Sequence, residues 1–198
     1  MLPVEVAWRK LIKRKDIMPS KNQIKKQKTG FTIIEVVLVL AIAGLIFLMV
    51  FVALPALQRS QRDTQRRDDM ARFISQLTQY QANNNGNVPG NTANDWNNTN
   101  GFIRNYMTAG GDSFRDPDGT AYNVTSICVL SGANTCGTGS VSGVTPNTAL
   151  TWDANRNLIY VYKNAKCNGE QVTYIQNAPT QVAIRYKLEG AGTYCTNN

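Results

Sequence analysis

One carboxylate, Glu35, stands at the threshold of a long uncharged run, and the Gly30–Phe31 peptide bond lies just upstream of it. From Val36 to Leu54 every residue is apolar or glycine, enough helix to cross the hydrocarbon core of a bilayer. A carboxylate at the centre of such a helix costs roughly 2.5 to 3.5 kcal/mol on insertion scales, and less near the interface. A span that keeps one is expected to supply it with a partner. Hydrolysis of the Gly30–Phe31 bond creates that partner, a new α-amino group on Phe31, four residues before Glu35.

Elsewhere the chain offers little for catalysis. It contains no histidine, so the commonest general base is absent. Gly139-Ser140-Val141-Ser142-Gly143 has the spacing of a nucleophile elbow but no partner residues for it. No catalytic residue, cofactor or enzymatic activity is expected.

The four cysteines, Cys128, Cys136, Cys167 and Cys195, all follow the apolar run. An even count on the outer side of a membrane points to two disulfides, with three possible pairings. The expected pairing joins Cys128 to Cys136 across a glycine-rich turn and Cys167 to Cys195 near the chain end, though sequence leaves the choice open. Their spacing lacks the Cys-x-x-Cys pairs of a zinc site, and no metal site is expected there. Asp116-Pro117-Asp118-Gly119-Thr120 begins like a calcium loop, yet residue 127 is Ile where the bidentate glutamate belongs. A proline-initiated turn explains the same residues and is preferred, with calcium at Asp116 and Asp118 the lesser alternative. Asn97-Asn98-Thr99 and Asn123-Val124-Thr125 match glycan acceptors, a pattern frequent by chance.

Charge gives the topology. Residues 1–30 hold nine Lys or Arg against Glu5 and Asp16, while the remainder holds twelve basic and eleven acidic side chains. A basic excess immediately before an apolar span marks the cytoplasmic flank, which puts residues after about Leu57 outside. The near-neutral remainder gives no specific support for nucleic-acid binding, which needs clustered cations. A secretory signal peptide has a shorter apolar core with a small-residue cleavage site after it; Ala53-Leu54-Pro55-Ala56 is only a faint mimic. A plain signal anchor fits the length but leaves Glu35 and Gly30-Phe31-Thr32 without a reason.

Lys25-Lys26-Gln27-Lys28-Thr29-Gly30, then Phe31-Thr32-Ile33-Ile34-Glu35 and an apolar helix, resembles the class III leader and N-terminus of type IV pilins and pseudopilins. The resemblance implies cleavage after Gly30 by a prepilin peptidase, N-methylation of Phe31, and an assembly role for Glu35 with the Phe31 amine. A leader of thirty residues is long for that family, and Met18 is an alternative start to Met1. The family further implies an inner-membrane assembly platform, a cytoplasmic ATPase and a homo-oligomeric helical filament. Before assembly the subunit would sit in the inner membrane, spanning it once; afterwards it would lie in an extracellular pilus. The implied function is a structural pilus subunit serving adhesion, motility or uptake. Alternatives are a pseudopilin of a secretion-like or competence system, and a membrane-anchored adhesin that never polymerises.

The elements that position these residues follow. The leader (1–30) precedes one long helix from Phe31 to about Gln81, read as an apolar transmembrane and assembly segment (31–57) and an extended segment (58–85). Gly44 and Pro55 interrupt its apolar part, and a proline there removes a backbone donor and favours a kink. Gln58 to Asp69 contains no apolar residue. A helix polar all round is expected outside its own domain's core, as a solvated spacer or a contact with neighbouring subunits. Pairs at i, i+4 such as Arg59/Asp63, Asp63/Arg67 and Asp68/Arg72 would support it. Met70, Phe73, Ile74, Leu77 and Tyr80 then form a core stripe at helical spacing. Asn83-Asn84-Asn85-Gly86 ends the helix.

Residues 86–198 are read as a β-rich head, for an α+β fold with the helix packed on a small antiparallel sheet. Two stretches there also resemble pilin-like proteins, Asn85-Gly86-Asn87-Val88-Pro89 and Asp116-Pro117-x-Gly119-x-x-Tyr122. Residues 86–121 read as an irregular loop pinned by Trp96, Phe102, Tyr106 and Phe114. Strands are expected at Tyr122–Leu130, Ala149–Asp153, Leu158–Lys163, Gln171–Gln176 and Gln181–Leu188, with Asp153–Asn157 a hairpin loop. Alternation of Val182, Ile184, Tyr186 and Leu188 gives one buried face.

Overall fold

A computed structural model describes residues 30–137, 140, 145–190 and 192–198 of the 198-residue chain. The leader up to Thr29, both start positions Met1 and Met18, and Gly139, Val141, Ser142 and Gly143 lie outside the described residues. The fold is α+β, a long N-terminal helix followed by a small, mostly antiparallel sheet. The chain divides into two compact units, one ending at Leu45 and one running from Ile46 to Asn198.

Helix α1 spans Ile33–Asn83 and is assigned as helix without a break through Gly44 and Pro55. It ends where the sequence supplies residues tolerant of left-handed backbone, Asn85 at φ 54° and Gly86 at φ 81°. The Gly86 N–H donates back to the Gln81 carbonyl at 2.8 Å, closing the last turn in the manner of a C-terminal cap.

In the second unit, strands β1 (Asn123–Val129), β2 (Leu158–Lys163), β5 (Val182–Lys187) and β6 (Thr193–Asn197) form one sheet in the order β1-β2-β5-β6. Strands β3 (Ala165–Asn168) and β4 (Gln171–Tyr174) form a separate antiparallel pair. The β2–β5 and β5–β6 ladders are antiparallel, but β1 and β2 run parallel. A parallel pair needs a long crossover, and residues 130–157 provide it.

Two expected features on that crossover are corrected. Ala149–Asp153 is not a strand, and Asp153–Asn157 is not a hairpin loop. Trp152–Asn155 forms a single helical turn, α3, where the Thr151 N–H donates to Asn155 Oδ1 at 2.8 Å. Short-range polar bonding of this kind competes with extended pairing. Strands β3 and β6 lie beyond the five expected, because Thr-Tyr-Cys-Thr-Asn and Ala-Lys-Cys-Asn carry almost no apolar alternation.

The sheet is buried on both faces, where one was expected. Met70, Phe73 and Leu77 of α1 pack with Val124, Ile159, Val161, Val182, Ile184, Tyr186 and Leu188. On the other face Tyr160, Tyr162, Leu130, Leu150, Ala183, Ala165 and Val172 form a second cluster. The β3–β4 pair contributes Ala165 and Val172 to it, which is why β5 is buried continuously from Val182 to Tyr186.

Residues 86–121 are partly regular: α2 at Ala93–Asn97, a π-helical turn at Ile103–Met107 and a 3-10 turn at Ala109–Gly111. Their aromatics do pin them. Trp96, Phe102 and Phe114 are buried around Phe73, with ring centroids 5.2–6.1 Å from it. Disulfides join Cys128 to Cys136 and Cys167 to Cys195, with Cα–Cα distances of 5.1 and 5.8 Å.

Candidate assembly site

The first turn of α1 is built by Thr32, which precedes the first helical residue. Its Oγ1 accepts the Glu35 N–H at 3.3 Å, and its carbonyl accepts the N–H groups of Glu35 and Val36 at 3.1 and 3.3 Å. Thr-x-x-Glu is the residue pattern of a capping box, with Glu35 the acidic residue of the first turn, where the helix dipole favours negative charge. Sequence reading had singled out Glu35 but not Thr32, although the spacing was there to be read.

Phe31, Glu35, Val36, Val39 and Leu40 line one shallow groove of about 310 Å³. The structure thus brings the residue after the Gly30–Phe31 bond and the carboxylate to the same patch of surface. Glu35 makes no ion pair among the described residues. Large apolar side chains from Phe31 to Leu57 are 43–85 % exposed, and α1 is long and apolar enough to cross a membrane.

A family model described as the prokaryotic N-terminal methylation motif matches residues 25–51. Residues 25–51 thus carry a prokaryotic N-terminal methylation motif, the kind of leader found in type IV pilins and pseudopilins. The methylation motif covers the basic patch, the Gly30–Phe31 bond, Glu35 and most of the apolar run, which fits membrane anchoring. No curated protein and no solved structure matches the chain.

Beyond the methylation motif, the polar part of α1 holds a second group of residues that sequence reading misplaced. Gln58–Asp69 is not wholly outside its own domain's core, as was expected of a helix polar all round: Asp63 and Arg66 are buried. Arg66 Nε and Nη2 donate to the two carboxylate oxygens of Asp116 at 2.7 and 2.8 Å, and Nη1 donates to Asp63 Oδ1 at 2.9 Å. The Tyr186 hydroxyl donates to Asp116 Oδ2 at 2.7 Å. Arg62 forms a two-point contact with Glu189 at 2.6 and 2.8 Å. Asp63 accepts the backbone N–H groups of Glu189 and Gly190, both at 2.8 Å. The ring of Trp152 lies 4.5 Å from the Arg66 guanidinium.

The expected i, i+4 pairs Arg59/Asp63, Asp63/Arg67 and Asp68/Arg72 are not among the ion pairs of the described residues, where Asp63 pairs with Arg66 at i, i+3. Burial alone would push the Arg66 pKa down, but Asp116 and Asp63 reverse this and raise it. The hydrogen bond from Arg62 holds the Glu189 carboxyl below the usual range. Burial pushes the Tyr186 and Tyr122 hydroxyls well up.

Asp116 and Asp118 sit in a turn, with Gly119 at φ 91° and its N–H donating to the Asp116 carbonyl at 2.8 Å. Both Asp116 oxygens are taken by Arg66, Tyr186 and the Asp118 N–H, while Asp118 Oδ1 accepts from Thr120. The aspartates therefore anchor α1 and the turn itself. Asn97 is committed too, its carboxamide accepting from and donating to the Val124 backbone.

Proposed function

We propose that this chain is a structural subunit of a type IV pilus, assembled from a membrane pool into an extracellular helical filament. The observation that carries the reading is the methylation motif at 25–51, with Glu35 one helical turn past Gly30–Phe31 and in no ion pair among the described residues. A prepilin peptidase hydrolyses the Gly30–Phe31 bond, and the Phe31 amine becomes the site of N-methylation. The apolar segments of successive subunits then pack together, driven by a platform and a cytoplasmic ATPase. In the bundle Glu35 pairs with the Phe31 amine of its own chain or of a neighbour. Such a buried pair adds little stability. Its role is register, since a misplaced subunit leaves a charge buried and unpaired. Contact between unlike surfaces that never closes gives an open filament.

Two measurements test this. Electron microscopy of cells with and without the gene should show filaments lost on deletion. The subunit mass should equal residues 31–198 plus one methyl group, less the four hydrogens of the two disulfides. Glu35→Val is expected to spare membrane insertion and the unfolding midpoint while reducing filament yield. Unchanged filaments in that variant would remove the pairing role, and a mature chain that keeps residues 1–30 would remove the reading altogether.

A further inference from the structure

We propose that the cavity bordered by Arg59, Ser60, Asp63, Thr64, Arg67 and Gly190 binds the phosphate of an anionic phospholipid while the subunit resides in the membrane. The cavity measures about 370 Å³ and lies at the end of the apolar run, with Ala56 on its wall. This inference rests on the membrane-resident stage of the reading above.

Charge accounting singles out two arginines. Arg62 and Arg66 are committed to Glu189, Asp63 and Asp116. The two oxygens of Asp63 are occupied by Arg66 and by the N–H groups of Glu189 and Gly190. Arg59, with 60 % of its side chain exposed, reaches only to 3.8 Å from Glu189, a carboxylate that Arg62 already holds at 2.6 Å. Arg67 forms no ion pair among the described residues and has the Tyr194 ring 5.6 Å away. The cavity therefore keeps Arg59, whose one ion-pair partner is held more closely by Arg62, and Arg67, which is in no ion pair among the described residues. Guanidinium groups suit phosphate because their planar fork donates two hydrogen bonds at once.

Height along the helix selects a lipid as the source. The headgroup layer extends about 5 to 7 Å beyond the hydrocarbon core on each side. At about 1.5 Å per residue, Arg59 and Ser60 stand roughly 3 to 5 Å past Leu57, and Thr64 about 10 Å past it. Thr64 and Arg67 start beyond that layer, and Arg67 meets it through the cavity it shares with Arg59, its side chain leaning toward the N-terminus. Gly190 forms the far wall, where an added Cβ would sit 3.3 Å from Asp63 Oδ2 and 3.8 Å from Arg59 Cβ.

The full-length chain is tested in two steps. Flotation with phosphatidylcholine vesicles reports membrane residence; failure to float overturns the membrane reading and this proposal with it. The chain in zwitterionic detergent is then titrated with short-chain phosphatidylglycerol, short-chain phosphatidylcholine and inorganic phosphate, following the thermal midpoint. A saturable rise with phosphatidylglycerol is expected, at lower concentration than with phosphatidylcholine. Arg59→Gln and Arg67→Gln should each weaken it about fivefold, while Arg104→Gln, a charge removed elsewhere, leaves it unchanged. Equal response to the two lipids, or unaltered affinity in both variants, overturns the site but leaves the pilus reading standing. An inorganic phosphate response matching that of phosphatidylglycerol identifies a free-anion site and overturns the lipid assignment.

Discussion

The apolar and polar stretches of α1 invert the usual relation between side-chain type and burial. Every large apolar side chain from Ile33 to Leu57 is exposed, whereas Arg66, in a stretch with no apolar residue, is fully buried. What decides burial is where the partner lies. Arg66 finds Asp116 fifty residues away and Tyr186 beside it, within its own chain. The apolar stretch has no such partner among the described residues, and its surface fits lipid or other copies of the same helix. A contiguous apolar surface of this extent marks an interaction site.

Cutting the buried ion pair tests the polar side of that contrast most severely. Arg66→Met leaves Asp116 buried without its cation, and removing one partner of such a pair typically costs about 3 to 5 kcal/mol. Denaturant unfolding of the full-length chain in detergent should show that loss. Arg66→Met with Asp116→Leu, which removes both charges, should recover most of it. If the single and double variants unfold alike, the pair is not what holds this part of α1. Reducing the two disulfides separately comes next. In the chain-entropy model the Cys167–Cys195 loop, with a sequence separation of 28, contributes about 3 to 4 kcal/mol. The Cys128–Cys136 loop, with a separation of 8, contributes about 2 to 3 kcal/mol. Cys-to-Ser pairs should therefore destabilise in that order.

The methylation motif at 25–51 and the core stripe were open to reading because their signals are local. A basic patch, Gly30, Phe31, Glu35 and an apolar run follow one another without gaps, and Met70, Phe73 and Leu77 recur at helical spacing. Arg66 was missed because its main partner is distant in sequence and because periodicity was sought only in apolar residues. The buried positions of α1 are Asp63, Arg66, Met70, Phe73, Leu77 and Gln81, a single stripe at steps of three and four. Its polar ends were legible as a continuation of the apolar middle. Gln81 closes it with bonds to Thr180 and Asn198. The parallel β1–β2 pair and strands β3 and β6 were not legible, since strand direction and short polar strands depend on partners that no local pattern names.

Lys163 offers a milder test, through pH. Its amine is buried at the end of β2 and donates to the carbonyls of Pro89 and Gly90 and to Asn91 Oδ1. Burial lowers its pKa from 10.5 to about 8. Between those two values the unfolded chain binds more protons than the folded one, so stability rises with pH. The slope from one such group is at most about 1.4 kcal/mol per pH unit. Above pH 10 the trend reverses, because Tyr122 and Tyr186 are raised in the folded state and ionise first in the unfolded chain. Denaturant midpoints from pH 7 to 11 should pass through a maximum. Lys163→Met should flatten the rising limb while leaving the falling one.

Arg59→Gln is the control that gives these contrasts their meaning. Arg59 belongs to the same polar stretch as Arg66 and also approaches Glu189, yet it does so at 3.8 Å with most of its side chain in solvent. Exposed pairs of this kind contribute between nothing and about 1 kcal/mol, because solvent screening and side-chain entropy offset the attraction. The variant should therefore unfold within 1 kcal/mol of the parent, while the Arg66 variant loses several times that. Were Arg59→Gln as damaging as Arg66→Met, net charge along α1 would be setting stability. The smaller effect expected would show instead that an arginine stabilises this helix only where the head domain has removed water from around it.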